Sequence, residues 1–333
     1  MNSVSFILII GILYLLSISF WRKRYVPFTI NESSSFKGIL SILIILSHVN
    51  FHADLPFFLT ITKWAGTKVA LFFFISGYGL ISSFSKKGKS YLKSFFSKRV
   101  WKIIFPLVFI SSIFIFLYYL DTGGFNGNLI KDLLKGITPL PYSWFAYIII
   151  IFYTLFYFVF KTNFSIHTKS IILMLLAFIV SLILYKNGFD RAWWVSNLAF
   201  PFGMIYKLNE NKIISISRTK IGNFAFVPVA LIIAGAFAFL KIEILYVFSY
   251  IFIVLAVIVL LSYSGLPQGR LFNFLGKVSY ETYLIHGGVY YLLRGNHIYI
   301  QNNYLYLIVT ILLTLILAYI FNLFFTNVYK YKT

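Results

Sequence analysis

Lys37 and His48 stand eleven residues apart in the run KGILSILIILSHVNFH. At 3.6 residues per turn and 1.5 Å per residue, a helix brings both onto one face, roughly 16 Å apart along its axis. Ser41 and, less closely, His52 share that stripe. One helix thus carries a cation at one end and an imidazole deep in an apolar run. A neutral imidazole is suited to removing a hydroxyl proton as general base; the alternative is a histidine hydrogen-bonded between helices. His48 and His52 at i, i+4 also have metal-ligand spacing, but no acid or cysteine nearby completes a set, so no metal is expected.

Four other segments carry polar groups in apolar surroundings. In ALFFFISGYGL, the patch of Ser76, Gly77 and Gly79 suits either close helix approach or a gap for a ligand. The basic stretch KKGKSYLKSFFSKRVWKIIFP holds Arg99 and Lys102 at i, i+3, ahead of Pro106. Its lysines alternate with aromatic and aliphatic residues, which fits a helix lying on an anionic leaflet. Clustered cations also fit a clamp for the phosphates of a nucleotide-like ligand. In FLGKVSYETYLIHGG, Ser279, Tyr283 and His286 recur at spacings of four and three, with Glu281 among them. That pattern is either an interhelical polar network or part of a site, and Glu281 must find a partner or a wet cavity, a cation from another helix being one candidate. Trp144 and Tyr147 in PYSWFAYIIIIFY read as an aromatic belt or a further site element.

The elements that hold these residues are membrane helices. Of the 333 residues, 60% are hydrophobic and only 11% charged, and the mean hydropathy is +0.87. Soluble chains carry about 25% charged residues, so a soluble enzyme and a disordered chain are both excluded. Without cysteine there is no disulfide framework and no thiolate nucleophile. The net charge of +21 would suggest nucleic acid in a soluble protein, but in a membrane protein the placement of charge matters more, and no nucleic acid is expected.

Apolar runs of spanning length predict an all-α, polytopic transmembrane helix bundle of ten to eleven spans. They fall near 4–20, 38–53, 66–84, 103–120, 143–160, 170–185, 192–206, 222–240, 244–263, 278–293 and 304–326. The first lacks a basic leader and a cleavage pattern and ends in Trp21, Arg22, Lys23 and Arg24, so it reads as an uncleaved helix. With the N-terminus outside and the C-terminus inside, 21 of the 29 cations lie on the cytoplasmic side, as the positive-inside rule prefers. No internal repeat stands out, which weakens an inverted-repeat transporter reading. Lys37 then sits at the cytoplasmic face and His48 towards the outer half.

The order of KGILSILIILSH, FFFISGYGL, KRVWKIIFP, SWFAYIIIIFY and LGKVSYETYLIH resembles the integral membrane acyltransferase family 3, mostly bacterial proteins that O-acylate sugars and surface polysaccharides. The resemblance implies a core of about ten helices at 37–333, preceded by an extra helix and basic linker at 1–36. It implies that His48 is the catalytic histidine. It places Lys37 where the family usually has an arginine, and Arg99 and Lys102 on an arginine pair; both lysines keep the charge but lose bidentate phosphate recognition. Ser76 and Gly77 match the family's Ser-Gly, and Ser279, Tyr283 and His286 its late motif.

The function expected is a membrane O-acyltransferase, foremost an O-acetyltransferase of the bacterial plasma membrane. Its co-substrate would be cytoplasmic acetyl-CoA, with no bound cofactor, held by Lys37, Arg99 and Lys102. Its acceptor would be a sugar hydroxyl of a cell-surface polysaccharide or lipid-linked precursor, deprotonated by His48. Ser41, Ser76, Gly77, Trp144, Ser279, Glu281, Tyr283 and His286 would bind substrate or support the site. The alternative is a transporter or exporter of a glycan intermediate, with the same residues lining a path.

Overall fold

The computed structural model describes residues 30–124, 129–217, 220–264 and 269–330. Among them the regular structure is helical, and the only strand-like pairing is an isolated antiparallel bridge between Arg294 and Tyr299. The principal helices are α1 Ile30–His48, α2 Ala65–Lys87, α3 Trp101–Thr122, α4 Trp144–Lys161, α5 Ile166–Lys186 and α6 Ala199–Leu208. They continue with α7 Lys220–Phe239, α8 Tyr246–Ser264, α9 Arg270–Lys277, α10 Ser279–Leu292 and α11 Asn303–Lys330.

Among the described residues seven helices are long and apolar enough to cross a membrane: those within Glu32–Phe51, Ala65–Leu92, Phe96–Thr122, Trp144–Lys161, Ile166–Lys186, Glu243–Ser262 and Asn303–Lys330. Three other apolar runs fall short of that length. The run at 192–206 divides into Ala192–Val195 and α6, the run at 278–293 forms the 14-residue α10, and α7 contributes the apolar stretch Ala225–Phe239. Every residue from 281 to 290 is buried, so neighbours rather than bilayer thickness set the length of α10. A total of ten to eleven spans therefore does not follow from helix length. The run at 4–20 lies outside the described residues.

Burial ranks the helices by depth. Along its most apolar stretch α2 is 72% buried, whereas those of α3 and α5 are 28% buried and that of α11 is 22% buried. The second is the centre of the bundle and the others face lipid along most of their length. Lipid supplies no hydrophobic drive between helices, so close packing must come from small residues. Gly77 of α2 lies against the Phe200 carbonyl, and Gly203 of α6 lies reciprocally against the Phe74 carbonyl; a methyl group at either would overlap the opposing backbone. Next to Gly77, Tyr78 donates to Glu210 Oε1 at 2.7 Å, and Lys207 pairs with the same carboxylate, so both oxygens of this buried acid are partnered.

The crossing carries a stability prediction. Gly77→Leu is expected to force α2 and α6 apart and cost at least about 1–3 kcal/mol, seen as a lower melting temperature of the purified protein. An unchanged melting temperature would show that the two helices do not depend on this contact.

Candidate active site

α1 ends at His48, and the chain turns through a short 3-10 segment, Val49–Phe51. His52 is therefore off the helix rather than one turn further along the Lys37–His48 stripe. The His48 ring meets two groups distant in sequence. Tyr142 stacks on it with centroids 4.1 Å apart and planes 23° apart, and His286 of α10 approaches with Nε2 3.2 Å from His48 Nδ1.

Carbonyl oxygens only accept hydrogen bonds, and this assigns the protons. His286 Nδ1 lies 2.6 Å from the Tyr283 carbonyl and must donate to it, so the neutral ring carries its lone pair on Nε2. His48 Nδ1 lies 3.0 Å from the Ile44 carbonyl and must likewise carry its proton, which it shares with His286 Nε2. His48 Nε2 is left with a lone pair and, among the described residues, no hydrogen-bond partner. The ring itself is half-buried while His286 is completely buried. This is a base with one nitrogen fixed and the other open.

Tyr142 owes its position to the turn before α4. Its φ of +61° is rare for a residue with a side chain and stores strain that neighbours must hold. Tyr283 donates to the Tyr142 carbonyl at 2.6 Å and accepts from the Phe145 amide at 3.1 Å. Gly287 lets the α10 backbone reach the Pro141 carbonyl, a contact that any side chain would prevent. His52 Nε2 lies 2.8 Å from the Tyr142 hydroxyl, and the His52 ring stacks on Tyr290 at 4.9 Å. Arg294 donates to the His52 carbonyl and lies 4.3 Å over the Tyr306 ring.

A cavity of about 1310 Å³ lies around Arg99, on the Lys37 side of α1 rather than the His48 side. Lys87, Lys98, Arg99, Lys102 and Lys330 line it without a carboxylate among the lining residues. It joins the end of α2, the start of α3 and the end of α11. Arg99 lies in a π-helical turn, Phe96–Val100, and its Nε donates to the Tyr91 hydroxyl at 2.9 Å. Lys102 sits 5.2 Å over the Tyr329 ring. Half-buried Lys37 of α1 lies within electrostatic reach of Arg99 but is not among the residues lining the cavity.

The remaining sequence candidates divide by what they touch. Ser76 donates to the Phe72 carbonyl of its own helix at 2.9 Å. Gly77 serves the helix crossing. Ser41 is fully buried and donates to the Gly38 carbonyl of its own helix, and Ser279, at the start of α10, donates to the Gly276 carbonyl of α9, so neither hydroxyl is bonded to the groups around His48. Buried Glu281 accepts from the Asn322 amide at 3.1 Å, with Lys277 contributing only at a distance; its direct partner is an amide and not a cation from another helix. Trp144 and Tyr147 pack towards Trp193, at 6.4 and 6.2 Å, away from His48. Tyr142 lies within the same aromatic motif but gave no sign in sequence of being its important member.

The arrangement defines a membrane-embedded centre with an oriented imidazole at one end of α1 and a polycationic cavity on the Lys37 side of that helix. A model of the acyltransferase domain of acyltransferase family 3 matches residues 30–323, and the chain belongs to that family. It is a multi-pass membrane acyltransferase. No curated protein and no solved structure matches it.

Proposed function

We propose that the protein is an O-acetyltransferase that moves the acetyl group of cytoplasmic acetyl-CoA to a sugar hydroxyl of a cell-surface polysaccharide or its lipid-linked precursor. The observation that carries this reading is the open Nε2 of His48 at one end of α1, with a cavity rich in cations on the Lys37 side. Arg99 and Lys102 hold the phosphates of the donor, with Lys37 deeper, and the donor's long arm runs along α1 towards His48. His48 Nε2 takes the proton of the sugar hydroxyl as its oxygen attacks the thioester carbonyl. The tetrahedral intermediate expels the CoA thiolate, which recovers that proton from the imidazolium. Carbon–oxygen replaces carbon–sulfur, and the base returns to its neutral form.

His286 is the positioning residue of this scheme. Its Nε2 accepts the His48 Nδ1 proton, which fixes the useful tautomer and steadies the imidazolium formed during transfer. The positive-inside pattern supports a reading in which the basic cavity faces the cytoplasm, with the C-terminus inside. Acetyl groups would then enter from the cytoplasm and leave at the outer half of the bundle.

The donor side is tested by Arg99→Ala and Lys102→Ala in steady-state kinetics with acetyl-CoA. Each is expected to raise the acetyl-CoA KM roughly tenfold or more, as the loss of a charge-assisted phosphate contact does. The defect should narrow as salt is raised, because salt screens the same contacts in the unaltered protein. Unchanged KM in both variants would move the donor site elsewhere.

A further inference from the structure

Three rings gather where α1 gives out, on the side of His48 away from the basic cavity. Tyr142 covers the imidazole at 4.1 Å, Phe51 stands 6.0 Å from it, and the Phe51 and Tyr142 centroids are 6.3 Å apart. Their planes are inclined by 23°, 35° and 29°, so the three form one gently stepped surface rather than a herringbone core. Phe51 is 64% exposed. Edge-on His52 and half-exposed Tyr291 continue the wall, at 5.9 Å from Tyr142 and 5.1 Å from His52 respectively.

The strain at Tyr142 is an independent observation. A tyrosine held at φ +61° by a tyrosine hydroxyl from another helix is a placed ring, and strain of this kind collects where geometry serves a site. The charge of the wall is equally informative. Arg294, which touches it, is already committed to the His52 carbonyl, Asn303 Oδ1 and the Tyr306 ring. A ligand here meets aromatic faces and hydrogen-bonding groups, with the cations Arg294 and Lys68 set behind them.

A pyranose ring has that chemistry. One face presents C–H bonds to an aromatic surface, and the rim carries hydroxyls for polar partners. We infer that Phe51 and Tyr142 form the acceptor platform, on which a sugar ring of the glycan lies with its C–H face down and a rim hydroxyl at His48 Nε2. This rests on the acyl-transfer reading above and adds to it the residues that select the acceptor.

The test uses the full-length protein in lipid nanodiscs with acetyl-CoA as donor. The acceptors are the methyl pyranosides of glucose, galactose, mannose and N-acetylglucosamine. Phe51→Ala is expected to raise the acceptor KM roughly three- to tenfold, the worth of one stacked ring, while the acetyl-CoA KM stays as it was. Phe51→Trp keeps a ring in place and should restore the acceptor KM. An acceptor KM that does not move in Phe51→Ala, or moves equally in Phe51→Trp, overturns the platform and leaves acyl transfer standing. Release of CoA without acetylation of any sugar by the unaltered protein also overturns it. If the unaltered protein neither releases CoA nor acetylates a sugar, the acyl-transfer reading falls, and the platform with it.

Discussion

Membranes containing His48→Ala are expected to transfer label from radioactive acetyl-CoA to glycan about 10²–10⁴-fold more slowly than membranes with the unaltered protein. The protein should still be present and folded, because the ring contributes one face of a stack and one shared hydrogen bond. The loss follows from what Nε2 does. A sugar hydroxyl is a poor nucleophile while it keeps its proton, and His48 Nε2 offers an open lone pair to take it. His52 is the nearest rival imidazole, but its Nε2 is engaged with the Tyr142 hydroxyl and its ring is clamped on Tyr290. His48→Gln, which keeps polarity without a basic nitrogen, should be as inactive as alanine. Equal transfer by variant and unaltered protein would remove His48 from the chemistry, and graded partial loss would favour a polar path for a transported glycan.

The helices, and the two histidines that meet, are legible in sequence because they depend on local periodicity. Lys37 and His48 share a face by spacing alone, and His286 stands out as a polar residue in an apolar run. Their contact joins residues 238 apart, which no spacing reveals. Tyr142 is harder still. Its role depends on a positive φ, on Gly287 giving way to the Pro141 carbonyl, and on a hydroxyl from Tyr283, three features held by different parts of the chain. Trp144, larger and at the head of the helix, draws attention within the same motif yet packs elsewhere. Ser41 and Ser279 show how a buried hydroxyl is satisfied by a carbonyl three residues back, Gly38 of the same helix for Ser41 and Gly276 at the end of α9 for Ser279, which sequence spacing does not distinguish from a place in a site. The shortness of α6 and α10 is also invisible locally, since it reflects burial among other helices.

His286 separates a catalytic scaffold from a merely structural histidine, and two substitutions tell them apart. Asparagine places an amide near the Nδ1 position and can keep the bond to the Tyr283 carbonyl while losing the acceptor opposite His48. Glutamine reaches the Nε2 position and can accept the His48 Nδ1 proton while losing the bond to Tyr283. If His286 orients and steadies His48, His286→Asn should lower kcat by roughly 10²-fold or more with the acetyl-CoA KM unchanged, and His286→Gln should retain most of the rate. Misorienting the imidazole in the serine hydrolase triad costs about 10⁴-fold, which sets the upper end. If His286 only braces the Tyr142 turn, the order reverses and asparagine is the better replacement. The choice of an imidazole over a carboxylate as partner follows from the surroundings. A carboxylate beside His48 would be a permanent charge in a buried membrane site, whereas two neutral rings carry none until the proton arrives. His286→Asp is therefore expected to be inactive and poorly folded, although the same exchange in water would make a stronger partner for the base.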